Sequence, residues 1–86
     1  MKWFRIMRSP IIMPDLGGGP VILSAWLARP GERVYAGDRV VEVLLEGATF
    51  DVPAPVSGLL QEKRAWPDDV LKPGQILGDI EADEES

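Results

Sequence analysis

The chain of 86 residues contains no cysteine and no histidine. The first absence excludes disulfides, thiol chemistry and cysteine-based metal sites. The second removes the commonest metal ligand and the commonest general base near neutral pH. No apolar run approaches the roughly 18 residues of a membrane-spanning helix. Lys2, Arg5 and Arg8 are not followed by a continuous apolar stretch. No secretory signal is therefore read, and the cytoplasm is the expected compartment. The net charge is −5, which argues against nucleic acid as a partner. Convincing helical periodicity is missing from end to end.

What is present is punctuation. Nine glycines and eight prolines fall every few residues and separate short runs rich in Val, Leu and Ile. Such spacing predicts many short strands and an all-β barrel or sandwich. A chain of this length makes one small domain. The reading divides it into an N-terminal extension over 1–10, a domain over 11–81 and an acidic tail over 82–86. Strands are expected at 10–14, 21–29, 40–45, 48–53, 59–66 and 76–81, with loops at 34–38 and 70–75. The extension carries Trp3, Phe4, Ile6 and Met7, which suit either an extra edge strand or an apolar arm. Asp83, Glu84 and Glu85 read as a solvated tail.

The centre of the chain is Val40 to Pro53, two strands joined at Glu46-Gly47. Glycine at the second position of a two-residue loop supplies φ > 0 without steric cost. With that loop, Leu45 faces Ala48, Val43 faces Phe50, and Val41 faces Val52. These six are expected to share an apolar core face, because side chains alternate across a strand. Val40, Glu42, Leu44, Thr49, Asp51 and Pro53 are assigned to the other face. Glu42 then opposes Asp51, a like-charge pair that reads as a solvated acidic patch. Glu42, Glu46 and Asp51 could hold a hard cation only weakly, since calcium takes six to eight oxygens. In the 21–29 strand, Val21, Leu23, Ala25 and Leu27 are placed on one face and Trp26 on the other. Gly17-Gly18-Gly19 lacks the context of a phosphate-binding loop.

A shift of 37 residues overlays the chain on itself. Leu23 falls on Leu60, Ala28 on Ala65, Pro30 on Pro67, Val34 on Leu71, Gly37 on Gly74, Val40 on Leu77 and Val43 on Ile80. Two copies are too few for a solenoid and suit a sandwich with an internal pseudo-two-fold axis.

Met13-Pro14-Asp15-Leu16-Gly17, Arg29-Pro30-Gly31-Glu32, Ala36-Gly37-Asp38, Glu42-Val43, Val52-Pro53-Ala54-Pro55-Val56-Ser57-Gly58 and Pro73-Gly74-Gln75 follow one another in this order. The ordered set resembles the lipoyl domain of 2-oxo acid dehydrogenase acyltransferases and, more distantly, biotinyl carrier domains. The resemblance covers about Ile11 to Glu81. It implies a flattened barrel-sandwich of two antiparallel four-stranded sheets. It also implies a hairpin tip of the form Asp-Lys-Ala, whose lysine carries lipoate. Laid on that pattern, Glu46 keeps the acid, Ala48 matches and Gly47 stands in the lysine position. No lipoate or biotin is expected there, since the amide linkage needs a side-chain amine. Leu44 and Leu45 also depart from the family's polar hairpin positions.

No catalytic residue is assigned, because no acid–base constellation is present beyond surface carboxylates. The expected function is a monomeric, non-catalytic binding or scaffolding module, with subunits of a 2-oxo acid dehydrogenase or carboxylase as possible protein partners. The alternative is a swinging-arm carrier whose lysine was substituted. The surface of interest is the tip: Glu42, Leu44, Leu45, Glu46, Gly47, Ala48 and Asp51.

Overall fold

Turn chemistry recurs twice along the chain and sets the frame. The Glu32 amide donates to the Arg29 carbonyl at 3.0 Å, and the Asp69 amide donates to the Trp66 carbonyl at the same distance. Each of those acids also takes a hydrogen bond on its side chain, Glu32 Oε1 from the Arg29 amide and Asp69 Oδ2 from the Trp66 amide. A second pair of turns repeats the device. Asp38 Oδ2 accepts from the Tyr35 amide, and Gln75 Oε1 accepts from the Lys72 amide. Side chains that bind a backbone N–H three residues back stabilise a tight turn locally. The repeat in sequence is thus a repeat in hydrogen bonding.

A computed structural model describes residues 7–83 of the chain. The strands are β1 (Arg8–Ile12), β2 (Val21–Trp26), β3 (Arg33–Val34), β4 (Arg39–Leu45), β5 (Ala48–Pro53), β6 (Gly58–Lys63), β7 (Val70–Leu71) and β8 (Ile76–Ala82). They form two four-stranded sheets, in the orders β1-β8-β6-β3 and β5-β4-β2-β7, with every pairing antiparallel. This is the architecture expected from the sequence. Met1 to Ile6 of the extension, with Trp3 and Phe4, lie outside the described residues.

The core lies between the sheets. Leu23, Leu60, Val40, Leu77, Val43 and Ile80 are all fully buried. They are three of the pairs related by the 37-residue shift, and each pair places one member in each sheet, so the repeat builds the two facing sides of one core. Area removed from water contributes about 1.5–3 kcal/mol for each such side chain. The cost of ordering the chain offsets most of that.

Several strand assignments shift. β1 begins at Arg8 and ends before Met13, whose buried side chain follows the strand. β3 and β7 lie partly in segments read as loops; two residues are too few to show a period. β2 ends at Trp26 instead of Arg29, and β6 at Lys63 instead of Trp66.

The placement of side chains differs more. The β2–β4 register slips between Leu23 and Ala25. That bulge re-aims the strand, so Leu27 is 45% exposed and Trp26 packs against the core. The Trp26 indole Nε1 donates to the Ala65 carbonyl at 2.9 Å, and Lys63 Nζ sits 5.3 Å from the ring centroid. The β6–β8 register slips at the matching place, between Leu60 and Glu62.

Candidate functional site

The hairpin tip is built by β4 and β5. Their register pairs Leu45 with Ala48, Leu44 with Thr49, Val43 with Phe50, Glu42 with Asp51 and Val41 with Val52, as read from the sequence. Glu46 and Gly47 have φ of 51° and 79°. Positive φ at both central residues matches a type I′ turn, whose twist suits the flanking strands. Gly47 faces open space: a Cβ built there meets none of the described residues within 4 Å.

The faces of the hairpin are not as expected. Val41, Val43, Leu45 and Val52 are buried, but Ala48 and Phe50 are exposed, Phe50 to 42%. β5 is the edge strand of its sheet, and an edge strand is covered on one flank only. Val40, assigned to the outer face, is fully buried. A register shift between Arg39 and Val41 turns it inward.

The acids separate into distinct settings. Glu42 is half-buried and its Oε2 accepts from the Ser24 hydroxyl at 3.0 Å. Asp51 lies 3.5 Å from the Arg39 guanidinium. The facing carboxylates therefore each have a partner, which relieves the repulsion of a bare pair. Glu46 extends over the glycine loop, where a Cβ at Gly19 would sit 3.7 Å from its Oε1. A carboxylate beside Gly18 and Gly19 makes that part of the loop hostile to phosphate. Among the described residues, no three Asp or Glu side chains converge as a metal site would require.

Leu44 is 36% exposed and Leu45 is buried. Leu44 belongs to a cross-strand row with Ile22 of β2 and Val70 of β7. Neither Ile22 nor Val70 was singled out in the sequence. The missing signal was β7, which brings Val70 into the sheet.

Of the described lysines, Lys63 ends β6 beside Trp26, and Lys72 follows β7 in an exposed turn. Neither is on the β4–β5 turn, and Lys2 lies outside the described residues. Elsewhere, Pro10, Ile12 and Pro14 face Val52, Pro53 and Pro55 across an open cleft of about 280 Å³ between the two edge strands β1 and β5. Among the described residues its lining carries no titratable group. Past the end of β8, Asp83 is exposed and pairs with Arg33 of β3 at 2.9 Å. Its hydrogen bond raises the Arg33 pKa above its ordinary value.

Residues 9–80 match the model of the biotin/lipoyl family, described as "Biotin-requiring enzyme". The chain is 27% identical, over 90% of its length, to the dihydrolipoyllysine-residue acetyltransferase component of the pyruvate dehydrogenase complex of Pseudomonas aeruginosa. It is 33% identical, over 85% of its length, to the lipoamide acyltransferase component of the branched-chain alpha-keto acid dehydrogenase complex of Pseudomonas putida. It spans only 14% and 18% of those two proteins. The solution structure of the lipoyl domain of the 2-oxoglutarate dehydrogenase complex of Azotobacter vinelandii superposes with a TM-score of 0.60 at 20% identity, covering 87% of this chain and 92% of that one.

Proposed function

Because the chain belongs to the biotin/lipoyl family, we propose that it is a lipoyl-like domain that carries no cofactor and works as a binding or scaffolding module. One observation carries the reading. The β4–β5 turn, where the resemblance puts the modifiable lysine, consists of Glu46 and Gly47, and neither has an amine. The module does no chemistry itself. It acts in the cytoplasm as a monomeric domain and docks on a protein of a 2-oxo acid dehydrogenase or biotin-dependent carboxylase assembly. The names of its relatives, acyltransferase components of such dehydrogenase complexes, support that choice of partner.

Intact-mass measurement of protein purified from its native host tests the absence of an arm. The expected mass is that of the unmodified chain. A lipoyl or biotinyl increment would sink the reading.

A second reading, a carrier whose lysine was substituted, is favoured by the open space around Gly47. A Gly47→Lys side chain would project freely, at a backbone cost of about 1–2 kcal/mol for φ > 0. Incubating that variant with lipoate ligase or biotin ligase separates the two. Efficient modification supports the substituted carrier. On the binding-module reading the variant is a poor substrate, because the exposed Leu44 presents an apolar side chain beside the turn.

A further inference from the structure

The pseudo-two-fold axis provides an internal control for surface chemistry. On the outer face of one sheet, Val70, Ile22, Leu44 and Thr49 form a continuous row across all four strands. The adjacent inward row contains Leu71, Val21 and Leu45, all buried, which fixes the orientation of the outer one. The equivalent row of the other sheet is Arg33, Leu59, Glu81 and Arg8. The same backbone thus carries three charged residues on one side and none on the other. Val70 is 61% exposed and Leu44 36%, so the apolar row is not capped by the chain's own described residues. Its lateral border on the hairpin is acidic on balance: Glu42 and Asp51 occupy the next outer pair and Glu46 the turn, with Arg39 beside Asp51 the one cation among them.

We infer that this outer row is a docking strip for a helix of a partner protein, one with an apolar stripe flanked by lysine and arginine. Two observations select that occupant. The acidic border complements a basic flank, and a net charge of −5 disfavours a second copy of the same chain. Four strands at about 4.8 Å spacing give a strip about 14 Å long. That length accommodates the i, i+3, i+4, i+7 anchors of a helix, which span about 10.5 Å, and extends to about two and a half turns. The inference deepens the binding-module reading by naming its surface and the chemistry of its partner. It requires a protein partner and is indifferent to whether the tip is modified.

Titration of the ¹⁵N-labelled protein with a synthetic Leu/Lys amphipathic helical peptide tests it. The expected result is saturable shifts centred on Ile22, Leu44, Thr49 and Val70, with affinity falling several-fold between about 50 and 300 mM salt. Leu44→Glu should weaken binding by about tenfold or more while amide dispersion shows an intact fold. Leu59→Glu, the counterpart on the other sheet, should leave binding unchanged. Equal binding of a Leu/Glu peptide would overturn the proposal. So would shifts centred on the Pro10–Pro55 cleft or on the charged sheet, or no binding at all. Peptide-independent, concentration-dependent shifts at the same four residues would replace the helix with a second copy. The intact mass of the same sample reports separately on the unmodified-tip reading, so either idea can fail alone.

Discussion

Glu46 occupies the first central position of the turn with φ of 51°, a conformation that costs most L-residues about 1 kcal/mol. Asparagine tolerates it better, and Asn-Gly is the preferred pair for this turn. Glu46→Asn is therefore expected to stabilise the domain by about 0.5–1 kcal/mol, read as a higher urea midpoint at unchanged m-value. A second residue carries a different lesson. Asp79 is buried, its Oδ1 has no hydrogen-bond partner among the described residues, and Oδ2 is 3.4 Å from Arg64. Arg64→Ala leaves a buried carboxylate without that neighbour and should cost about 1–3 kcal/mol. Asp79→Asn in the same background should recover part of the loss. The turn was legible because Glu46-Gly47 is a local signal. The Asp79 environment was not, because its neighbours come from other strands.

At the scale of the element, the strands are short and their glycines mark close approach. A Cβ on Gly58 would collide with the Glu81 backbone carbonyl and stand 3.0 Å from the Ala82 Cα. Backbone cannot step aside as a flexible side chain does, so Gly58→Ala is expected to destabilise by about 1–3 kcal/mol in chemical denaturation. Gly31→Ala, with open space around its Cβ but φ of 86°, is a control for conformational cost alone. The register of β4–β5 was readable from the turn and the alternation of residues. The slips near Ser24 and Gln61 were not. A bulge leaves no mark on hydropathy, yet it packed a half-buried Trp26 against the core and left Leu27 exposed.

Over the whole molecule, burial depends on which strands have neighbours. Val40 and Val70 illustrate this with one side chain. The first is fully buried and the second is 61% exposed. Val40→Ala should cost about 1.5–3 kcal/mol, and Val70→Ala should stay within about 0.5 kcal/mol, both read by thermal or urea unfolding. Equal effects would mean that the sheets do not pack as described.

The sequence by itself determined the fold class, the repeat and the tip. Proline and glycine spacing, a 37-residue self-overlay and one two-residue loop are local or periodic signals, and physics acts on them wherever the chain lies. Tertiary structure alone decided which faces are wet. It buried Val40, exposed Phe50, paired Asp83 with Arg33 and drew Ile22, Leu44 and Val70 into one row. Those outcomes depend on contacts between residues distant in sequence, on edge position and on bulges, and none of them leaves a period to read.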